Sequence, residues 1–112
     1  MNTGIYEELK TIARREDVTT YSAIAPLACL DMSNADHRQQ IGEILGEISS
    51  AEHRAGRPLL SAVVILDGLN VPGKGFFTLA RELGLYKPRK VHDDILFFAD
   101  ELRRVHGYWK NT

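Results

Sequence analysis

Ile5, Leu9, Ile12 and Ala13 recur one helical turn apart, which predicts an amphipathic helix over residues 6–16 closed by the charged run "RRED". In the adjoining "VTTYSAIAPLACLDM", Val18 reads as a strand or turn residue and Thr20 as the N-cap of a short helix over residues 21–30. Pro26 removes an interior backbone donor, so that helix is expected to kink or to stop after two turns. "SNAD" has capping-box form, with Ser33 as cap and Asp36 three positions on, opening a helix that runs to about Ala55 and stops at Gly56. Ile41, Ile44, Leu45 and Ile48 make its apolar stripe, and Glu43, Glu47, Glu52, His53 and Arg54 its polar face. Gly42 and Gly46 interrupt the helix, each about 1 kcal/mol less favourable than alanine. Something must approach closely there, and a tightly packed helix is the expected neighbour ahead of a ligand.

"PLLSAVVIL" is apolar at both parities, which predicts a strand covered on both faces. "DGLNVPGKG" is a loop, and Phe76, Leu79, Ala80 and Leu83 mark a helix that ends at Gly84. After the basic connector "LYKPRKVHDD", a last helix starts near Asp93 or Asp94 and presents Ile95, Phe98, Ala99, Leu102, Val105 and Trp109 to the core. The pattern predicts one mainly helical α+β domain spanning residues 1–112, a bundle of about five helices with a small sheet or hairpin.

Composition narrows the chemistry. With 112 residues, 44% of them hydrophobic, the chain can bury one core without disulfides or a structural metal. Its single cysteine, Cys29, sits in apolar "APLACLDM" and reads as a buried thiol in a reducing compartment. The N-terminal segment has no signal-peptide pattern and no apolar run could span a bilayer, so a cytoplasmic location is expected. Fourteen basic against fifteen acidic residues leave no global field toward nucleic acid or an anionic membrane. The histidines lack metal-ligand spacing, Ser61 lacks a nucleophile elbow, and Asp93, Asp94, Asp100 and Glu101 read as cap and solvated face. No cofactor, metal or catalytic set is expected.

Gly68, Gly73 and Lys74 come close to the phosphate-loop pattern G-x-x-x-x-G-K, but Gly75 stands where a Mg²⁺-binding hydroxyl belongs. Pro72 also lacks the N–H that would face the anion. The segment reads as a turn with a basic tip.

"VTTYSAIA", then "IGEILGEI", then "RPLLSAVVI", is a series that resembles the winged-helix half of the O6-alkylguanine DNA alkyltransferases and alkyltransferase-like proteins over residues 18–66. No P-C-H-R or P-W-H-R comes after it, and Cys29 lies in a different segment, so the resemblance implies DNA binding without alkyl transfer. The segments "TTYSAIAPLACLDMSN", "GRPLLSAVV" and "PGKGFFTLARELG" also resemble a family of small uncharacterised bacterial proteins, a resemblance that supplies no activity. On the first resemblance, Thr19, Thr20 and Tyr21 open a helix whose N-terminus meets phosphate. Residues 33–40, with Arg38, lead the recognition helix, and residues 70–74, with Lys74, form the wing.

The expected function is therefore a non-catalytic winged-helix-like protein that binds double-stranded DNA or works in a nucleic-acid-handling complex. Basic clusters at Arg14 and Arg15 and at Lys87, Arg89 and Lys90 could extend the contact, although solvated surface charge explains each as well. The rival is a protein-interaction module of inhibitor, immunity or antitoxin type, using the acidic helix face and "HGYWKNT". A small hydrolase or nuclease ranks last.

Overall fold

Asn2 starts the first helix by accepting the Ile5 N–H at 2.9 Å, and α1 (Thr3–Arg14) then buries Ile5, Leu9 and Ala13. The computed structural model describes residues 1–90 and 92–112; Val91, within the expected basic connector, lies outside the described residues. A two-residue strand β1 (Thr19–Thr20) leads into the single turn of α2 (Tyr21–Ile24), capped by Thr20 as the sequence predicts. Pro26 confines the next residues, Ala25–Ala28, to a 3-10 turn.

That turn ends at Cys29 with φ 57°, and the left-handed backbone turns the thiol outward, so the expected buried thiol is exposed. The long helix α3 (Ala35–Arg54) is capped by Asn34, not Ser33. The Asn34 carboxamide accepts from the N–H groups of Asp36 and His37 at 2.8 and 3.2 Å, while the Ser33 N–H is held by Asp31. Gly56, at φ 79°, stops α3 as expected.

The predicted long strand is the largest departure. Leu60–Val63 is a 3-10 turn, and only Val64–Ile65 form a strand, β2, pairing in parallel with β1 through Thr19↔Val64 and Thr20↔Ile65. This segment threads the centre of the molecule against α1, α3 and the last helix, and Leu59 through Val64 are buried without exception. With no long neighbouring strand, the Ala62 N–H turns back to the Leu59 carbonyl at 3.1 Å, and two other backbone donors of the segment find side-chain acceptors. The Leu59 N–H donates to Glu101 at 2.8 Å and the Ser61 N–H to the Ser49 hydroxyl at 3.0 Å. Ser49 and Glu101 are buried polar residues on core-facing helix positions for that reason.

Glu52, placed by the pattern on the polar face of α3, is also buried. Arg57 reaches it with two bonds, at 2.7 and 3.0 Å, and the Tyr6 hydroxyl donates a third at 2.8 Å. Burial and the Glu52 carboxylate together push the Tyr6 phenol upward.

The remaining helices are α4 (Lys74–Glu82) and α5 (Asp93–Trp109). Between them Tyr86 stacks on Phe97 with ring centroids 4.6 Å apart and donates to Asp94. Burial first, and the Asp94 carboxylate second, push its phenol up to about 12. The core edge of α5 is Phe98, Glu101, Val105 and Trp109; Ile95 and Ala99, expected in the core, face outward. Among the described residues, five helices and one small parallel sheet make the mainly helical α+β fold that the pattern predicts. No described helix is long and apolar enough to cross a membrane.

Candidate functional site

Gly42 and Gly46 answer the question their cost raises. A Cβ built at either position meets nothing within 4 Å, so no helix packs there and the expected close helix contact is absent. The glycines instead form one wall of a cavity of about 360 Å³ that opens to the surface. Met32 and Tyr21 close one side, Leu66 and Asp67 another, and Gly73, Gly75, Phe76 and Leu79 the side of α4. Leu45 and the Ser61 side of the central segment complete the lining. Two glycines at i and i+4 together give up about 2 kcal/mol of helix stability relative to alanine. No packing contact repays that loss, but the open wall makes room for a bound group.

The polar atoms of the site are few and mostly held. The Tyr21 hydroxyl accepts the Gly73 N–H at 2.8 Å, and burial raises the Tyr21 phenol above its ordinary pKa while that bond opposes the rise. Ser22 donates to Asp67, giving the loop between β2 and α4 a second strap onto α2. Ser61 and Ser49 share a hydroxyl–hydroxyl bond of 2.6 Å, and Ser49 already accepts the Ser61 N–H. If Ser49 donates its proton to Ser61, the Ser61 proton is left for a group in the cavity. Arg38, exposed at the rim, donates to the Met32 carbonyl at 2.9 Å and keeps the rest of its guanidinium toward solvent.

The Tyr21–Gly73 strap is sterically tight, since a Cβ on Gly73 would lie 3.0 Å from the Tyr21 hydroxyl. Gly73→Ala is expected to destabilise the fold by roughly 1–3 kcal/mol through overpacking. Removing the hydroxyl relieves the clash, so in urea unfolding the pair Gly73→Ala and Tyr21→Phe should be less damaging together than the sum of the singles. Strict additivity would show that the two groups do not touch.

Of the five residues predicted to contact nucleic acid, Tyr21 and Arg38 line this cavity, and Lys74 stands exposed between two of its lining glycines. Thr19 and Thr20 do not line it. Both are tied into β1, and the Thr20 hydroxyl accepts the Ala23 N–H at 3.2 Å, so the first turn of α2 is capped from within. In the loop at residues 68–74 the Gly73 N–H is taken by Tyr21, and the Leu66 N–H just before it closes the turn onto the Val71 carbonyl at 2.8 Å.

The N-terminus of α4, at Lys74 and Gly75, carries no side-chain cap and faces the same rim. Nothing in the sequence marks Met32, Ser61 or Asp67 as part of a site; its signals are Tyr21, Arg38 and the two glycines of α3.

Among the described residues, the lining contains no thiol or imidazole, and its one carboxylate, Asp67, is bonded to Ser22. Among the described residues, no cluster of three His, Cys, Asp or Glu side chains could hold a metal ion. The arrangement suits recognition of a mainly apolar group with a few polar edges. No family model, curated protein or solved structure matches this chain.

Proposed function

We propose that the protein is a non-catalytic, winged-helix-like nucleic-acid-binding protein whose cavity receives an unstacked base. The observation that carries this reading is convergence: Tyr21, Arg38 and the Gly73–Gly75 tip, far apart in sequence, meet at the mouth of one apolar cavity. A base displaced from its stack needs a pocket with apolar walls and a few hydrogen-bonding atoms. The floor offers Ser61, and the wall at Gly42 and Gly46 leaves room for a flat ring. Arg38, Lys74 and the uncapped start of α4 are the groups placed to meet the flanking phosphates.

Few cations take part, and Asp36, Glu43 and Glu47 are exposed on α3. Binding is accordingly expected to be modest and to favour sites where a base is already unstacked, because there the unstacking energy is smallest. In fluorescence anisotropy at low salt, a mismatched duplex should bind more tightly than the matched one. Arg38→Ala with Lys74→Ala should weaken both and flatten the salt dependence by about two in log–log slope. Absence of binding to either duplex at low salt sinks the proposal.

A second reading, a protein-interaction module, draws on the same exposed carboxylates of α3. Its other suggested surface is reduced, because Trp109 is only 6% exposed and belongs to the core, leaving Tyr108 outside.

A further inference from the structure

The cavity between α3 and α4 carries one charge of each sign at its mouth. Arg38 and Asp67 both line it and both are exposed, yet among the described residues no ion pair joins them to each other or to any other group. Each is held by a single strap. One terminal nitrogen of Arg38 donates to the Met32 carbonyl, which leaves Nε and Nη2 without a partner among the described residues, and one oxygen of Asp67 accepts from Ser22, which leaves Oδ1. Behind this polar mouth the walls are apolar: Leu45, Leu66, Phe76 and Leu79 face the bare backbone at Gly42 and Gly46.

We propose that this cavity binds a free aromatic α-amino acid as its zwitterion, with the carboxylate on Arg38, the ammonium on Asp67 and the ring against the α3 glycines. The two charges select the head of the ligand. A lone carboxylate gains Arg38 but is repelled by Asp67, a lone amine meets the reverse, and an uncharged molecule uses neither. A group with both signs on one carbon gains both. The surroundings keep this balance, since Lys74 stands exposed between two lining glycines and Asp31 borders the adjoining cleft beside Asp67. Because Arg38 and Asp67 are exposed, the zwitterion stays at the water's edge and escapes most of the desolvation penalty of a buried pair.

The cavity selects the tail. Its volume of about 360 Å³ lies at the lower end of the roughly 300–1,000 Å³ that small-molecule sites span, which suits one ring on a short head. Two glycines without neighbours leave a flat stretch of helix surface for a ring face, and the half-buried Tyr21 and buried Phe76 border the same space. This inference goes beyond the proposed base, and since both ligands take one cavity, the amino acid is also expected to displace the base; that last consequence rests on the nucleic-acid reading.

The test is an NMR titration of isotope-labelled protein, free of nucleic acid, with L-phenylalanine and three relatives. These are 2-phenylethylamine, which lacks the carboxylate, 3-phenylpropionate, which lacks the ammonium, and L-alanine, which lacks the ring. Phenylalanine should saturate with a Kd below about 1 mM and shift the amides of Gly42, Gly46, Gly73 and Gly75. Each relative should bind at least about tenfold more weakly, having lost a charged hydrogen bond or the apolar ring. Arg38→Gln should weaken phenylalanine by about tenfold without weakening 2-phenylethylamine. Asp67→Asn, which keeps an acceptor for Ser22, should weaken phenylalanine by about tenfold and strengthen 3-phenylpropionate. No saturation by about 10 mM, equal binding of phenylalanine and either singly charged relative, or shifts centred away from the cavity would each overturn the proposal. Phenylalanine that saturates the cavity without displacing a mismatched duplex supports this proposal and removes the base from the cavity; duplex binding without phenylalanine binding does the reverse, so the two readings fail separately.

Discussion

Glu101→Ala is expected to destabilise the protein by about 3–5 kcal/mol, a large part of the 5–15 kcal/mol that holds a typical domain together. The carboxylate is 1% exposed, and it joins two remote parts of the chain: one oxygen accepts the Leu59 N–H, the other the Arg104 guanidinium at 2.7 Å. Alanine leaves a buried backbone donor without an acceptor and a void where the side chain was. Glu101→Gln retains an acceptor oxygen for Leu59 and should recover a substantial part of the loss. Asp100→Ala, one residue away and well exposed, is the control and should change stability by less than about 1 kcal/mol. Urea unfolding followed by circular dichroism reads all three, and similar midpoints for Glu101→Ala and Asp100→Ala would refute the role assigned to Glu101.

Gly46→Leu is expected to move stability and binding in opposite directions. Nothing lies within 4 Å of a Cβ at this position, and the cavity of about 360 Å³ beside it is where the rest of a leucine side chain would go. The helix gains up to about 1 kcal/mol from losing a glycine, while the bound group loses its space. The melting temperature should rise, and affinity for the mismatched duplex should fall by at least about tenfold. Gly46→Ala separates the two effects, because it supplies most of the helix gain with only one methyl group in the cavity. Retained affinity in the leucine variant would exclude the cavity as the binding site, whatever its effect on stability.

The helices were legible because each carries its own period. Ile5, Leu9 and Ala13 in α1, and Ile41, Leu45 and Ile48 in α3, are buried at the spacing that the sequence displays. Thr20 as a cap, Pro26 as a limit and Gly56 as a stop are local effects, decided within a few residues of backbone. Asn34 took the cap from Ser33 because two adjacent hydrogen-bonding residues compete for the same N–H groups, and the pattern of letters does not rank them.

The segment around Leu60 departs from its pattern for a different reason. Continuous apolarity reports burial, not extension, and strand formation needs neighbours that, among the described residues, are supplied only at Thr19 and Thr20.

The site was half legible. Tyr21, Arg38 and Lys74 stand out in the sequence, and the glycines of α3 are recognisably costly there, but their common purpose is hidden because it depends on which elements face one another. The same holds for Glu52 and Glu101, whose acidic side chains carry the sequence signature of solvent and occupy the core instead.

By itself, the sequence determined a mainly helical domain and the positions of its helices, since propensity, capping and periodicity act over one or two turns. The tertiary structure alone decided that a buried segment would be hydrogen-bonded by Ser49 and Glu101, and that Gly42 and Gly46 would open onto a cavity. It also decided that Ile95 and Leu96 would remain outside the core. Those outcomes depend on partners tens of residues away, and no local preference encodes the partner.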